Sequence, residues 1–243
     1  MKKLIIENFK TLFYALVIAV IIRSFFFQPF YIPSSSMEPN LLIGDRLFVS
    51  KYSYGFSKHS FPFSPNFSNS RFMFSEPKRG DVVVFKTPTD NRTDYIKRLI
   101  GIPGDEIQFI NGDLYINNIQ IVKTIIKDFT QTIYCGDNPM EIIAFEEKLP
   151  NGIMYTAVYT TKNSFQNSDK FKVPKDHYFF LGDNRDCSKD SRYLGSVGYV
   201  NKLNLVGKAR IIFFSSDFKE GSIFNFFKWS KIIRFERFFD IIK

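Results

Sequence analysis

Three hydroxyls, one lysine and one dense polar stretch are the residues whose types could do chemistry. Ser34, Ser35 and Ser36 follow Pro33 and precede Met37-Glu-Pro39. A serine hydroxyl is a weak nucleophile near neutral pH unless a base removes its proton. The chain has two histidines, His59 and His177, and neither sits in an apolar or glycine-rich motif. A lysine can serve instead when burial keeps its amine neutral. Lys97 is such a candidate, at the centre of Tyr95-Ile-Lys-Arg-Leu-Ile100. On a strand, Tyr95, Lys97 and Leu99 share one face, and an inward face would lower the lysine pKa from ~10.4 toward ~8. That shift is worth about 3 kcal/mol against the charged form. The third segment, Gly182 to Tyr193, is crowded with charged and polar residues directly after Tyr178-Phe-Phe-Leu181. On spacing alone the three hydroxyls are equivalent. A strand lysine and a serine run also fit a solvated surface and a loop.

These residues need a scaffold, and the pattern supplies strands. Asp81–Phe85, Asp94–Ile100 and Glu106–Ile110 are short, apolar or β-branched, and bounded by Gly, Pro and Asp. Asn111-Gly112 joins two such runs and predicts a two-residue hairpin turn. Further strands are expected at 152–160, 177–181 and 205–214. No internal repeat or βαβ rhythm is present, so the body reads as mainly β. The predicted organisation is an anchor over 1–28, a core from 29–121 and 176–215, a small insertion at 122–175 and a basic aromatic tail at 216–243. Residues 52–76 read as a loop or irregular hairpin. From Ile223 to Lys243 the tail could form an amphipathic helix with Ile232, Phe235, Phe239 and Ile242 on one face, or an ordinary docked helix.

Residues 11–22, TLFYALVIAVII, are uncharged and apolar, behind Lys2, Lys3 and Lys10 and ahead of Arg23. Snorkelling of Lys10 and Arg23, with a belt of Phe25, Phe26, Phe27, Phe30 and Tyr31, extends this run to a span from about 8 to 27. A cleaved leader would need small residues after the apolar run, but Arg-Ser-Phe-Phe-Phe follows, so the segment is expected to be retained. The lysines ahead of it predict a cytoplasmic N-terminus, with the rest of the chain across the membrane.

The chain carries a net charge of +9 and 30 phenylalanines in 243 residues. Lys and Arg are scattered and no nucleic-acid motif accompanies them, so a nucleic-acid partner is not expected. A lipid surface suits the same charge and the aromatics at Phe56, Phe61, Phe63, Phe67, Phe72 and Phe74. Cys135 and Cys187 could pair in an oxidising compartment, but two distant cysteines give no framework. No Cys/His cluster of metal-ligand spacing occurs, so no metal is expected.

The motifs together resemble the type I signal peptidases, or leader peptidases. Pro-Ser-x-Ser-Met-x-Pro stands at 33–39 and Arg-Gly-Asp-Val-Val-Val-Phe at 79–85. Asp-Tyr-Ile-Lys-Arg with Gly-x-Pro-Gly-Asp spans 94–105, and Gly-Asp-Asn-Arg-Asp-x-Ser-x-Asp-Ser-Arg-Tyr spans 182–193. They occur in the family's order behind one anchor, over about residues 10–215. The resemblance implies an antiparallel β-sheet catalytic core, barrel or sandwich, behind a single transmembrane helix. It also implies a monomeric serine endopeptidase of the bacterial inner membrane, with its catalytic domain outside the cytoplasm and no cofactor. Its substrates would be secreted preproteins cut after Ala-x-Ala-type sites.

Carried over position by position, Ser36 matches the nucleophile and Lys97 the general base. Ser34 matches the serine that binds the oxyanion beside the Ser36 N–H. Ser188 matches the serine that orients the lysine, and Asp190 and Arg192 match a structural ion pair. Phe30, Ile32, Met37, Val84, Tyr95 and Ile96 fall where the family lines its substrate pockets. Ser35 and Asn40 replace the usual Gly and Thr, with no expected effect on the chemistry. Cys187 replaces a polar residue beside Ser188, so modification of its thiol is expected to disturb the base. Self-cleaving repressor peptidases share the Ser-Lys pair but lack an anchor. Penicillin-binding enzymes use Ser-x-x-Lys, absent after Ser36. An inactive membrane-tethered scaffold of the same fold is the alternative from another class.

Overall fold

The computed structural model describes residues 2–65, 70–136, 138–162, 164–217 and 229–243. Phe67 and the predicted tail segment 223–228 lie outside the described residues. The N-terminal apolar run forms α1 (Lys2–Phe25). Its portion Ile5–Phe25, 21 residues long with mean hydropathy 1.9, is exposed throughout except at Ser24. At 1.5 Å per residue that portion rises about 31 Å, enough to cross a bilayer core. The helix begins earlier than expected because Ile5, Ile6 and Phe9 prolong the apolar run. It ends at Phe25, because the Phe26 carbonyl accepts from Lys51 N and Phe27 pairs with Ser50 in the first strand. Phe25, Phe26 and Phe27 are exposed as a belt requires, whereas Phe30 turns inward onto apolar core residues. Of the loop aromatics, Phe63 and Phe72 are exposed, while Phe56 and Phe61 set their rings edge-on against Phe25.

A seven-stranded antiparallel sheet follows. Its spatial order is β1 (Phe27–Tyr31), β2 (Asp45–Ser50), β16 (Leu205–Ser215), β3 (Val82–Lys86), β4 (Asp94–Gly101), β14 (His177–Leu181) and β15 (Val200–Asn201). A four-stranded sheet holds β5 (Glu106–Ile110), β6 (Asp113–Ile116), β7 (Ile119–Gln120) and β13 (Phe171–Lys172). A three-stranded sheet holds β8 (Val122–Ile125), β11 (Ile142–Lys148) and β12 (Met154–Thr160), and β9 (Ile133–Cys135) pairs with β10 (Asn138–Met140). The β5–β6 turn is the predicted Asn-Gly turn. Asn111 and Gly112 have φ of 51° and 80°, the positive pair that a tight hairpin of this twist demands.

One apolar core unites Ile107, Phe109 and Leu114 of the first half with Tyr155, Ala157, Phe171 and Phe179 of the second. Leu149, Tyr155, Ala157, Tyr159, Phe171 and Val173 thus share a core with residues of 107–121, while Ile133, Ala144 and Val158 form a smaller cluster of their own. A second core, from Ile32, Met37, Leu47, Val82, Val84 and Ile212, packs on the main sheet across β2, β16 and β3.

The tail departs from the amphipathic-helix expectation. Only Trp229–Ile232 is α-helical among its described residues, and Phe235–Arg237 forms a 3-10 turn. Beyond that turn the chain runs beside β16, with Phe239 N donating to the Ile212 carbonyl and Ile242 N to that of Arg210. Ile232 is buried while Phe235 and Phe239 are exposed, so the expected common face does not form. The cause is polar: Arg237 reaches back to Asp45, 2.7 Å away, and Arg234 to Asp217, 2.6 Å away.

Candidate active site

Strand alternation and one turn build the site. In β4, Lys97 stands opposite Val83 of β3, while Ile96 and Val84 point to the other face. Ser36 lies in a single 3-10 turn, Ser35–Met37, which is locked below by buried Met37 and by Leu41 N donating to the Met37 carbonyl. Ile32 fixes the approach to this turn through backbone bonds to Asp45 and Gly44.

The turn and the strand meet at the two predicted residues. Lys97 Nζ lies 2.5 Å from Ser36 Oγ, and it also donates to the Ile96 carbonyl at 3.0 Å. Ser36 and Lys97 are 7% and 3% exposed, so the pair is shielded from bulk water. Burial pulls the Lys97 pKa down to about 8, and the negative charges of Asp190 and Asp183 limit the fall. Ser34 is exposed, with its Oγ 3.3 Å from that of Ser36.

The loop after β14 closes the site from the other side. Asp190 and Arg192 are ion-paired and buried, Arg192 Nε lying 2.8 Å from Asp190 Oδ1. Asp190 Oδ2 accepts from Gly182 N at 3.0 Å, which closes the loop on itself. A Cβ at Gly182 would stand 2.5 Å from the Ser36 carbonyl oxygen and 2.1 Å from Ser188 Oγ, so glycine is required for this approach. Ser188 is buried at this point, and its hydroxyl makes no hydrogen bond. The expected Ser188–Lys97 bond is not formed here; the amine contacts Ser36 Oγ and the Ile96 carbonyl instead.

Of the expected substrate-pocket residues, Ile32, Met37 and Val84 belong to one buried cluster, with Phe30 and Ile96 packed on its rim. Tyr95 packs on a different cluster, yet its ring centroid is 5.5 Å from Lys97 Nζ.

Several supporting residues were not singled out in the sequence. Arg98 forms a buried two-pronged pair with Asp183, and Asn40 Nδ2 donates to both Asp183 Oδ2, at 2.8 Å, and the Thr156 carbonyl, at 2.7 Å. Arg98 and Asp183 lie inside the quoted motifs, and Asn40, noted above only as a replacement of Thr, directly follows the first of them. Arg185 is wholly buried against Glu147, with Tyr155 and Tyr159 donating to that carboxylate at 2.7 and 2.6 Å. Burial pushes Glu147 toward neutrality, but the Arg185 guanidinium outweighs it and holds the carboxyl below its usual range. Glu147 and both tyrosines sit in a region with no motif to mark them.

Cys135 and Cys187, whose pairing the sequence left open, form a disulfide with Cα atoms 5.5 Å apart. It ties the β9–β10 hairpin to the loop that bears Ser188.

A family model described as signal peptidase, peptidase S26, matches residues 5–214. The chain belongs to this family. It is 40% identical over 224 residues to signal peptidase I of Rickettsia typhi (strain ATCC VR-144 / Wilmington), across 88% of this chain and 82% of that one. With signal peptidase I of Rickettsia bellii (strain OSU 85-389), it shares 36% identity over 250 residues, across 96% and 84% of the two chains. Within the peptidase S26 family, the mainly β body and the N-terminal apolar helix are accounted for together, and the chain is a serine endopeptidase.

Proposed function

We propose that this peptidase removes signal peptides from secreted preproteins at the bacterial inner membrane, with Ser36 as nucleophile and Lys97 as general base. The observation that carries this reading is the 2.5 Å contact between Lys97 Nζ and Ser36 Oγ in a buried setting. In the neutral amine the bond runs from the hydroxyl to nitrogen. As Ser36 Oγ attacks the scissile carbonyl, its proton passes to Lys97, which returns it to the departing amine. Lys97 then draws a proton from water, and the hydroxide equivalent releases the acyl group from Ser36. The Ser34 hydroxyl and the Ser36 N–H stabilise the oxyanion as it develops. Ser188, buried beside the dyad with a free hydroxyl, takes up the lysine once the substrate displaces the Ser36 bond.

Phe30, Ile32, Met37, Val84 and Ile96, with Tyr95 at the lysine, form shallow apolar subsites for the small residues before the cut. The N-terminal lysines keep the start of the chain in the cytoplasm and α1 as the anchor, so the catalytic body acts outside, as a monomer against the lipid surface. The test is cleavage of a purified preprotein by the wild type, Ser36→Ala, Lys97→Ala and Lys97→Arg. All three variants should fold and leave the preprotein uncut. Full cleavage by any of them overturns the dyad.

A further inference from the structure

Ser188 poses a positioning problem. Its hydroxyl is buried without a partner, an unfavourable arrangement, so the residue is not held by its own bonding. Its loop is tied down on either side by buried ion pairs, Asp183–Arg98 and Arg185–Glu147 before it and Asp190–Arg192 after it. Between these lie residues 186–189, where Asp186 accepts from Thr160 N and Phe165 N, both at 2.9 Å. The covalent tie nearest to Ser188 is the bond from the adjacent Cys187 to Cys135.

The far end of that bond is anchored on the nucleophile. Tyr134, next to Cys135, donates its N–H to Glu38 Oε2 at 3.0 Å. Asn184 Nδ2 donates at 3.2 Å both to the Tyr134 carbonyl and to the Ser35 carbonyl, while Asn184 N donates to the Ser36 carbonyl at 3.2 Å. Ser35 Oγ is 3.8 Å from Cys187 Sγ. The hairpin, the nucleophile's turn and the Ser188 loop therefore converge on one disulfide, and its Cys135 end is exposed to solvent.

We propose that the Cys135–Cys187 disulfide is a positioning element of the dyad, holding the Ser188 loop over Lys97 and against the Ser36 turn, so that efficient cleavage requires the oxidised pair. This rests on the Ser36/Lys97 reading above. The bond forms by exchange with a disulfide-bearing oxidant: the two thiols lose two protons and two electrons, and the oxidant leaves as a dithiol. Excess small dithiol reverses it. The charges facing Lys97 are Asp190 and Asp183, each matched by its own arginine, and the Tyr95 ring lies to one side. With the clamp open, those partners remain but water gains access to the amine. Its pKa then moves back toward the ordinary ~10.4 and fewer molecules hold a neutral base.

The experiment uses the full chain in detergent and a purified preprotein. Oxidised enzyme, dithiothreitol-reduced enzyme alkylated to trap the thiols, and a Cys135→Ser/Cys187→Ser double variant are compared over pH. At about pH 8, the reduced and double-variant enzymes should lose roughly tenfold in kcat, with KM within about twofold. The midpoint of the acid limb should rise by about one unit, as expected for a rehydrated lysine. Reoxidation of unalkylated enzyme by oxidised glutathione should restore the wild-type profile, and the double variant should ignore dithiothreitol. An unchanged kcat and midpoint overturns the proposal. So does a fall in kcat without movement of the midpoint, or unfolding of both altered forms below the assay temperature, since either marks a simple staple. Cleavage by Ser36→Ala would instead defeat the dyad reading, whatever the redox result.

Discussion

Arg98 and Asp183 meet through two parallel hydrogen bonds, Nε to Oδ1 and Nη2 to Oδ2, each 2.7 Å long. The pair joins the strand of the base to the loop of Ser188, one residue after Lys97 and one after Gly182. Removing one partner of a buried ion pair strands the other charge, at a cost of about 3–5 kcal/mol. Asp183→Ala should therefore destabilise the protein by that amount in chemical denaturation, and it also deprives Asn40 of one of its two acceptors. A loss below about 1 kcal/mol would show that the pair does not brace the site.

The rate should follow the state of Lys97. Only the neutral amine can take the Ser36 proton, and its pKa is about 8. Below that value kcat should fall about tenfold per pH unit, and above it the rate should level off. Preprotein cleavage measured from about pH 5 to 9 checks this. A flat profile contradicts a lysine base.

Ser34→Ala and Ser188→Ala separate two roles. Loss of an oxyanion donor at Ser34 should lower kcat by ~10²–10³ with little change in KM. Ser188→Ala should also reduce kcat, yet leave the melting temperature equal or higher, because the hydroxyl removed has no partner in the resting enzyme. Parallel kinetics and thermal melts read both. A stability loss at Ser188 without a rate loss would assign it to packing alone.

Topology is open to direct measurement. In spheroplasts, externally added protease should digest the body of the chain and spare α1. Protection of the body would reverse the orientation.

What the sequence made legible was local or carried by motifs. The Asn111-Gly112 turn depends on two residues and their positive φ. The proposed Ser36/Lys97 pair followed from four motifs in order, since spacing alone could not choose among Ser34, Ser35 and Ser36. Contacts between distant segments were not readable. Cys135 and Cys187 are 52 residues apart, and nothing near either encodes the pairing. The Arg185–Glu147 pair joins a motif to a region without one, and the tail's course was set by Arg237 finding Asp45 rather than by its own helical period.

Order of synthesis gives the Gly182–Ser36 approach a further meaning. Ser36 precedes Lys97 by 61 residues, and Ser35 precedes the Asn184 that holds its carbonyl by 149. A growing chain that ends anywhere before residue 182 carries a nucleophile but no cover for its base. On the Ser36/Lys97 proposal such a chain would be latent, its lysine open to water and its serine without a neutral base. On the proposed dyad, competence would wait until β16 has joined β2 to β3 and a glycine without a side chain lets the 182–193 loop settle on the Ser36 turn.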